Sequence, residues 1–204
     1  MADSALLLVD VQIDFCPGGA LAVPGGDLIV PVLNDYVGRF DAMGLPVFAS
    51  RDWHPPQTAH FSAHGGPWPP HCVQHSDGAE FHPELRLPTD AMVVTKGTDP
   101  TDDGYSAFEA AAADGRPLAG VLAERGVERL YVGGLATDYC VRASVLDALR
   151  HGLDTVLLLD AVRGIDLEHG DVARAIDAML RAAARTATLA TVDHDLAARG
   201  QAIR

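Results

Sequence analysis

Only three cysteines, Cys16, Cys72 and Cys140, occur in 204 residues, and no two stand close together. An odd, scattered set argues against a disulfide framework. Cations are scarce too: 15 Lys and Arg stand against 28 Asp and Glu, a formal net charge of −13. A protein that grips phosphates carries a basic face, so nucleic acid is not expected as a partner, and the acidity serves solubility. No apolar run reaches the roughly 18 residues that cross a bilayer. The opening Met1-Ala2-Asp3-Ser4 runs straight into a strand-like segment with no basic stretch before it. Neither a membrane span nor a signal peptide is therefore expected, and the cytoplasm is the expected compartment. Repeats and low-complexity tracts are absent. What is present is an ordinary globular composition, 48% hydrophobic and 21% charged, which fits a single domain over 1–204.

Short apolar runs recur at 5–11, 45–50, 91–95, 129–133 and 154–159, with a weaker sixth at 186–192. Each is continuous rather than alternating, the pattern of strands covered on both faces. Amphipathic stretches at 28–43, 117–125, 138–151 and 168–185 lie between them, with Pro117 suited to a first helical turn and Gly152 to a helix stop. Strand alternating with helix predicts an α/β, three-layer, doubly wound fold: a mostly parallel six-stranded sheet with helices on both faces. One stretch, about 52–88, breaks the rhythm. It is rich in Pro, Gly and His and holds six of the nine histidines and both tryptophans. Such a long excursion inside a compact domain reads as an ordered, site-building segment.

In an open parallel sheet, ligands bind beyond the carboxyl ends of the strands. The polar residues there are Asp10, Asp52, Lys96 and the turn before Cys140. Asp10 sits in the apolar run LLLVDVQ, where a carboxylate needs a partner. Lys96 ends AMVVTK, and the two strand ends can face one another, each offsetting the other's burial. Cys140 lies at a helix start behind Gly133-Gly134, with Thr137 or Asp138 as cap. Partial positive charge there favours thiolate over thiol, and the backbone N–H groups of such a turn can line an oxyanion hole. Asp52 and His54, two apart in extended chain, point the same way. With His71 behind the stiff Trp68-Pro69-Pro70, and His60 as a fourth candidate, they form a mixed oxygen and nitrogen set suited to Zn, Fe or Mn. His64, His75 and His82 read as surface residues, Cys72 as packed, and Cys16 has no role assigned.

With these residues in place, the chain resembles nicotinamidases, also called pyrazinamidases, of the isochorismatase-like hydrolase superfamily, almost end to end. The matching segments are Asp10-Val11-Gln12-Ile13-Asp14-Phe15, Arg51-Asp52-Trp53-His54-Pro55, Trp68-Pro69-Pro70-His71-Cys72-Val73-Gln74, Lys96-Gly97-Thr98 with Tyr105-Ser106-Ala107-Phe108, and 134–141. The resemblance implies a triad of Asp10, Lys96 and Cys140 and one divalent metal held by Asp52, His54 and His71, Zn first and Fe or Mn next. It also implies an aromatic pocket of Phe15 and Trp68 with Tyr105 nearby, and an oxyanion hole from the N–H groups of Ala136 and Cys140. A cis non-proline peptide is expected between Leu135 and Ala136, and both residues are expected among those that bind substrate.

The implied reaction is hydrolysis of nicotinamide, and of pyrazinamide, to the acid and ammonia through a Cys thioester, within NAD salvage; a homo-oligomer is an open expectation. The sequence departs from the family at Ile13, often Asn; at His75, often Gly; and at His60, commonly Ser but His in a subset that includes mycobacterial pyrazinamidase. Another small-amide hydrolase of the superfamily, or a non-catalytic metal-binding module, would carry many of the same residues. Isochorismate hydrolysis is disfavoured by Cys140, which that branch lacks.

Overall fold

The apolar run that opens the chain becomes β1 (Ser4–Val9), buried along its whole length. In the computed structural model, which describes residues 3–202, its side chains alternate between two cores. Leu6 and Leu8 pack with α1 (Ile29–Ala42) and with Val192 and Leu196 of α5 (Leu189–Ala202). Ala5, Leu7 and Val9 pack on the other face with α2 (Leu118–Glu124), α3 (Arg142–Arg150) and α4 (Asp171–Arg181). Burial on both faces explains why the strands read as unbroken hydrophobic runs. The opening Met1-Ala2, where the absence of a leader was read, lies outside the described residues. Among the described residues no helix is long and apolar enough to cross a membrane.

The sheet also contains β2 (Val47–Asp52), β3 (Met92–Lys96), β4 (Ala111–Ala112), β5 (Arg129–Leu135), β6 (Asp154–Arg163) and β7 (Arg185–Ala187), in the order β4-β3-β2-β1-β5-β6-β7. Every pairing is parallel except β3 with β4. The chain winds outward from β1 through β2 and β3, then crosses back to β5 and winds the other way. The switch point therefore lies between β1 and β5, where a ligand crevice is expected. Gly134 permits their close approach. It has φ 127°, and a Cβ there would sit 2.1 Å from the Val9 carbonyl oxygen, so only glycine fits.

Seven strands replace the expected six. β4 is two residues long and antiparallel, too short to leave a periodic signal. The expected strand at 186–192 is only Arg185–Ala187, and helix begins at Leu189. Its β-branched residues suggested strand, but the Asp160 carboxylate on β6 accepts the Leu189 N–H at 2.8 Å and places an anion at the start of α5. The stretch expected as one helix from 138 opens as a π-helical turn, Thr137–Val141, before α3. Its caps were misassigned. Ala136 is the N-cap, without a side-chain bond; Thr137 Oγ1 is buried without a partner; and Asp138 accepts the N–H groups of Ile165 and Asp166 instead, at 3.0 and 2.8 Å.

Candidate active site

Three strand ends converge at the switch point. Asp10 follows β1, Lys96 ends β3, and Cys140 stands in the turn after β5. All are buried, with exposures of 0%, 1% and 7%. The Lys96 ammonium lies 2.8 Å from Asp10 Oδ2 and also pairs with Asp52 Oδ1. Its remaining neighbours are the Gly104 carbonyl, which accepts at 2.6 Å, and Cys140 Sγ at 3.8 Å. Asp10 Oδ2 thus meets the charge of Lys96 at close range. Ser50 holds the other oxygen, donating to Oδ1 at 2.7 Å. The same carboxylate stands beside the thiol: carboxylate oxygens of Asp10 and Asp52 and the Cys140 sulfur lie within 4.8 Å of one another. Asp10 occupies the left-handed region, φ 50°, a strained setting that aims it across the sheet edge.

The electrostatics follow from burial opposed by pairing. Burial raises the Asp10 carboxyl from 3.8 to about 6, against the pull of Lys96 and with a push from Asp52. Burial also works to raise Asp52, but Lys96 and His54 outweigh it and hold that carboxyl well below the usual range. For Lys96, burial favours loss of the proton, yet Asp10, Asp52 and Cys140 keep the ammonium charged far above neutral pH. Burial lifts the Cys140 thiol well above its ordinary value, with Lys96 opposing and Asp10 adding to the rise. This corrects the expectation of a thiolate favoured by the helix start. The resting group is a thiol, and the base beside it is poised near neutrality.

Three histidines meet next to this cluster and share Asp52 with it. The strand-like bridge between His54 and Val73 brings His54 beside the segment of His71, and the bridge between Phe61 and Trp68 folds His60 onto the same spot. Ligand nitrogens of His54, His60 and His71 lie within 4.8 Å of one another, and Asp52 Oδ2 is 3.7 Å from His54 Nε2. Both ring nitrogens of His54 are buried without a hydrogen-bond partner, a costly state for polar atoms unless a ligand satisfies one of them. Nδ1 of His71 faces the Pro69 carbonyl at 2.8 Å, and Nδ1 of His60 faces Asp103 Oδ1 at 3.1 Å. Each contact leaves Nε2 to the centre, the arrangement of metal-ligating imidazoles. Burial lowers His71 to about 4, keeping it neutral and able to ligate. Three imidazoles and a carboxylate fit one divalent metal. Gly97 is required here: a Cβ would stand 2.5 Å from the His54 ring.

A pocket over Cys140 is lined by Phe15, Trp68, Tyr105 and Ala136 and also by Leu21, Tyr139 and Ile165. Trp68 Nε1 donates to the Tyr105 hydroxyl at 2.9 Å. The peptide between Leu135 and Ala136 is cis. The Leu135 side chain, expected against substrate, is instead fully buried in the core on the α1 side and is absent from this lining. Cys72 is packed in the same core, and Cys16 is buried and free. His64 and His75 are exposed, while His82 is half-buried. Sequence reasoning missed Gln12, which is wholly buried. Its side chain takes the Asp52 N–H and donates to the carbonyls of Asp52 and Ala79, each at 2.8 Å, clamping the end of β2. One signal lay in plain view: Lys96 is the only lysine in the chain, so every other cation is arginine.

The Isochorismatase domain family matches residues 4–193. The nicotinamidase of Escherichia coli (strain K12) is 41% identical over 206 residues, covering 93% of this chain and 97% of its own. The nicotinamidase/pyrazinamidase of Mycobacterium tuberculosis (strain ATCC 25618 / H37Rv) is 41% identical over 167 residues, covering 80% of this chain and 88% of its own. Among solved structures, the pyrazinamidase of Pyrococcus horikoshii in complex with zinc superposes with a TM-score of 0.85 at 45% identity, covering 92% of this chain and 99% of its own. A doubly wound sheet, a lysine–carboxylate–thiol cluster at its switch point and a histidine-rich centre beside it thus occur in a chain that belongs to the isochorismatase family.

Proposed function

We propose that the protein is a metal-dependent nicotinamidase that hydrolyses nicotinamide, and pyrazinamide, to the acid and ammonia through a Cys140 thioester, in NAD salvage. The observation that carries this reading is the Asp10 carboxylate set between the Lys96 ammonium and the Cys140 thiol, next to a three-imidazole centre that shares Asp52 with this cluster. The triad serves amide hydrolysis of any kind. The second centre selects an amide whose ring bears a nitrogen. Asp52, His54, His60 and His71 would hold the metal, which supplies Lewis acidity and an anchoring point for that nitrogen. Phe15 and Trp68 would flank the ring and exclude water.

Asp10 takes the thiol proton as Cys140 sulfur bonds to the carboxamide carbon. Lys96, 3.8 Å from that sulfur, stabilises its negative charge as it develops. The carbonyl electrons move onto oxygen, which the N–H groups of Ala136 and Cys140 would receive; loss of one such donor costs about 10²–10³ in rate. The carbon–nitrogen bond breaks as Asp10 returns the proton, and ammonia departs. Water, deprotonated by the same carboxylate, then attacks the thioester and releases the acid and the thiol. Asp10 can both take and give a proton because its carboxyl is raised to about 6. Replacing Cys140 by Ala is expected to abolish ammonia release from nicotinamide while metal content is retained. Ammonia release at the wild-type rate would overturn the reading.

A further inference from the structure

The pocket over Cys140 is tight. It encloses about 20 Å³, room for about one water and too little for a six-membered ring, so a wall must move before an aromatic amide reaches the thiol. Most walls are tied. Trp68 is held by its bond to Tyr105 and His71 by Pro69. Ile165 rides on a backbone bound to Asp138, and Leu21 on one bound to the Asp14 carbonyl at 3.0 Å. Tyr139 differs. It is half-buried, and its hydroxyl makes no hydrogen bond among the described residues. Its ring touches Trp68 edge-on at 4.8 Å and lies near-parallel to Tyr105 at 6.2 Å. Its backbone is fixed, the N–H donating to the Ala136 carbonyl at 3.1 Å, so only the side chain is free to turn. Two clefts of about 490 and 320 Å³ flank it, and Tyr139 and Arg142 line both.

We propose that Tyr139 is the gate and size filter of this site. Its phenol turns about χ1 into a flanking cleft to admit a single-ring amide, then returns over it; a bicyclic amide, which would need the ring's place permanently, is excluded. The choice of single-ring amide rests on the nicotinamidase reading, whereas the gating rests on the cavities alone.

The test compares wild type with Tyr139→Phe, Tyr139→Trp and Tyr139→Ala in two assays. The first is the ratio of kcat/KM for quinoline-3-carboxamide to that for nicotinamide. The Ala variant should raise this ratio about tenfold or more, the scale on which a pocket discriminates by apolar bulk; Trp should lower it and Phe should leave it in place. The second is alkylation of Cys140, followed on its own peptide, by iodoacetamide and by the bulkier iodoacetanilide, which reads access without amide turnover. Their rate ratio should shift the same way. Identical alkylation ratios in all four proteins would overturn the gate, even with nicotinamide turned over normally. Shifted alkylation ratios in a protein that does not hydrolyse nicotinamide would sustain the gate and sink the substrate. Should the Ala variant fail to fold, the Trp variant decides, since a larger ring must lower both ratios and unchanged ratios would overturn the gate.

Discussion

Asp10→Asn separates what the carboxylate does for the reaction from what it does to the fold. Carrying a carboxyl from 3.8 to about 6, at ~1.4 kcal/mol per tenfold, makes its ionised form about 3 kcal/mol less favourable than in water. Below pH 3.8 folded and unfolded chains both keep the proton, and the group is neutral to stability. Between 3.8 and about 6 the unfolded chain loses its proton first, so stability falls as pH rises. Above about 6 the whole ~3 kcal/mol is lost. Asparagine imitates the protonated form at every pH and keeps an oxygen for Ser50 or Lys96. The metal-free Asn variant should therefore melt higher than wild type at pH 8, by about 6–12 °C, with little difference at pH 4. Its kcat should fall about 10²–10⁴-fold for want of the base. In the metal-loaded wild type, kcat/KM should fall tenfold per pH unit below a limb at or under about 6, because a nearby cation favours the carboxylate. No upper limb should appear near neutrality, since Lys96 and Cys140 both titrate well above their ordinary values. Differential scanning fluorimetry across pH, with an ammonia-release assay, checks both halves. An Asn variant less stable than wild type at pH 8, or one that keeps the acid limb, would refute the reasoning.

Three further outcomes follow from single contacts. His54→Ala should abolish tight metal binding, whereas Asp103→Asn, which weakens only the contact behind His60, should lower affinity about 10–100-fold; chelator competition reads both, and unchanged affinity in each would remove these residues from the centre. Gln12→Leu strands the Asp52 N–H and two carbonyls in a dry interior, so urea unfolding should show a loss of about 3 kcal/mol or more. Asp138→Ala releases the N–H groups of Ile165 and Asp166; KM for nicotinamide should rise several-fold more than kcat falls, and equal changes in both would show that the loop does not act through binding.

The strands of the sheet interior were legible because burial on both faces writes itself into sequence as unbroken apolar runs, and the residues at their ends needed only the topology to bring them together. Asp10, Lys96 and Cys140 were visible for that reason. The edges were not. β4 has two residues and no period, and the segment after Ala187 carries strand-like Thr and Val yet becomes helix because of a carboxylate about thirty residues earlier. Positioning roles escaped for a related reason. Gln12, Asp138 and Asp103 act through bonds to distant backbone or to another side chain, which no local pattern announces. The thiol's state was misread because helix-start polarity is a local cue, whereas burial among carboxylates is a property of the assembled site.

The central position of β1 also dictates a hazard during synthesis. Its two neighbours are made at very different times: β2 ends at Asp52, but β5 does not begin until Arg129. At ~5–20 residues per second the ribosome needs about 4 to 15 s to supply the missing partner. For that interval an apolar strand offers an unpaired edge, the kind of surface that templates aggregation. Asp10 meanwhile waits at its tip for a thiol that has not yet been made. Polypeptides that terminate before residue 129 should depend on chaperones far more than those that extend past residue 141, so the pairing that assembles the catalytic cluster is also the step that makes the nascent chain safe.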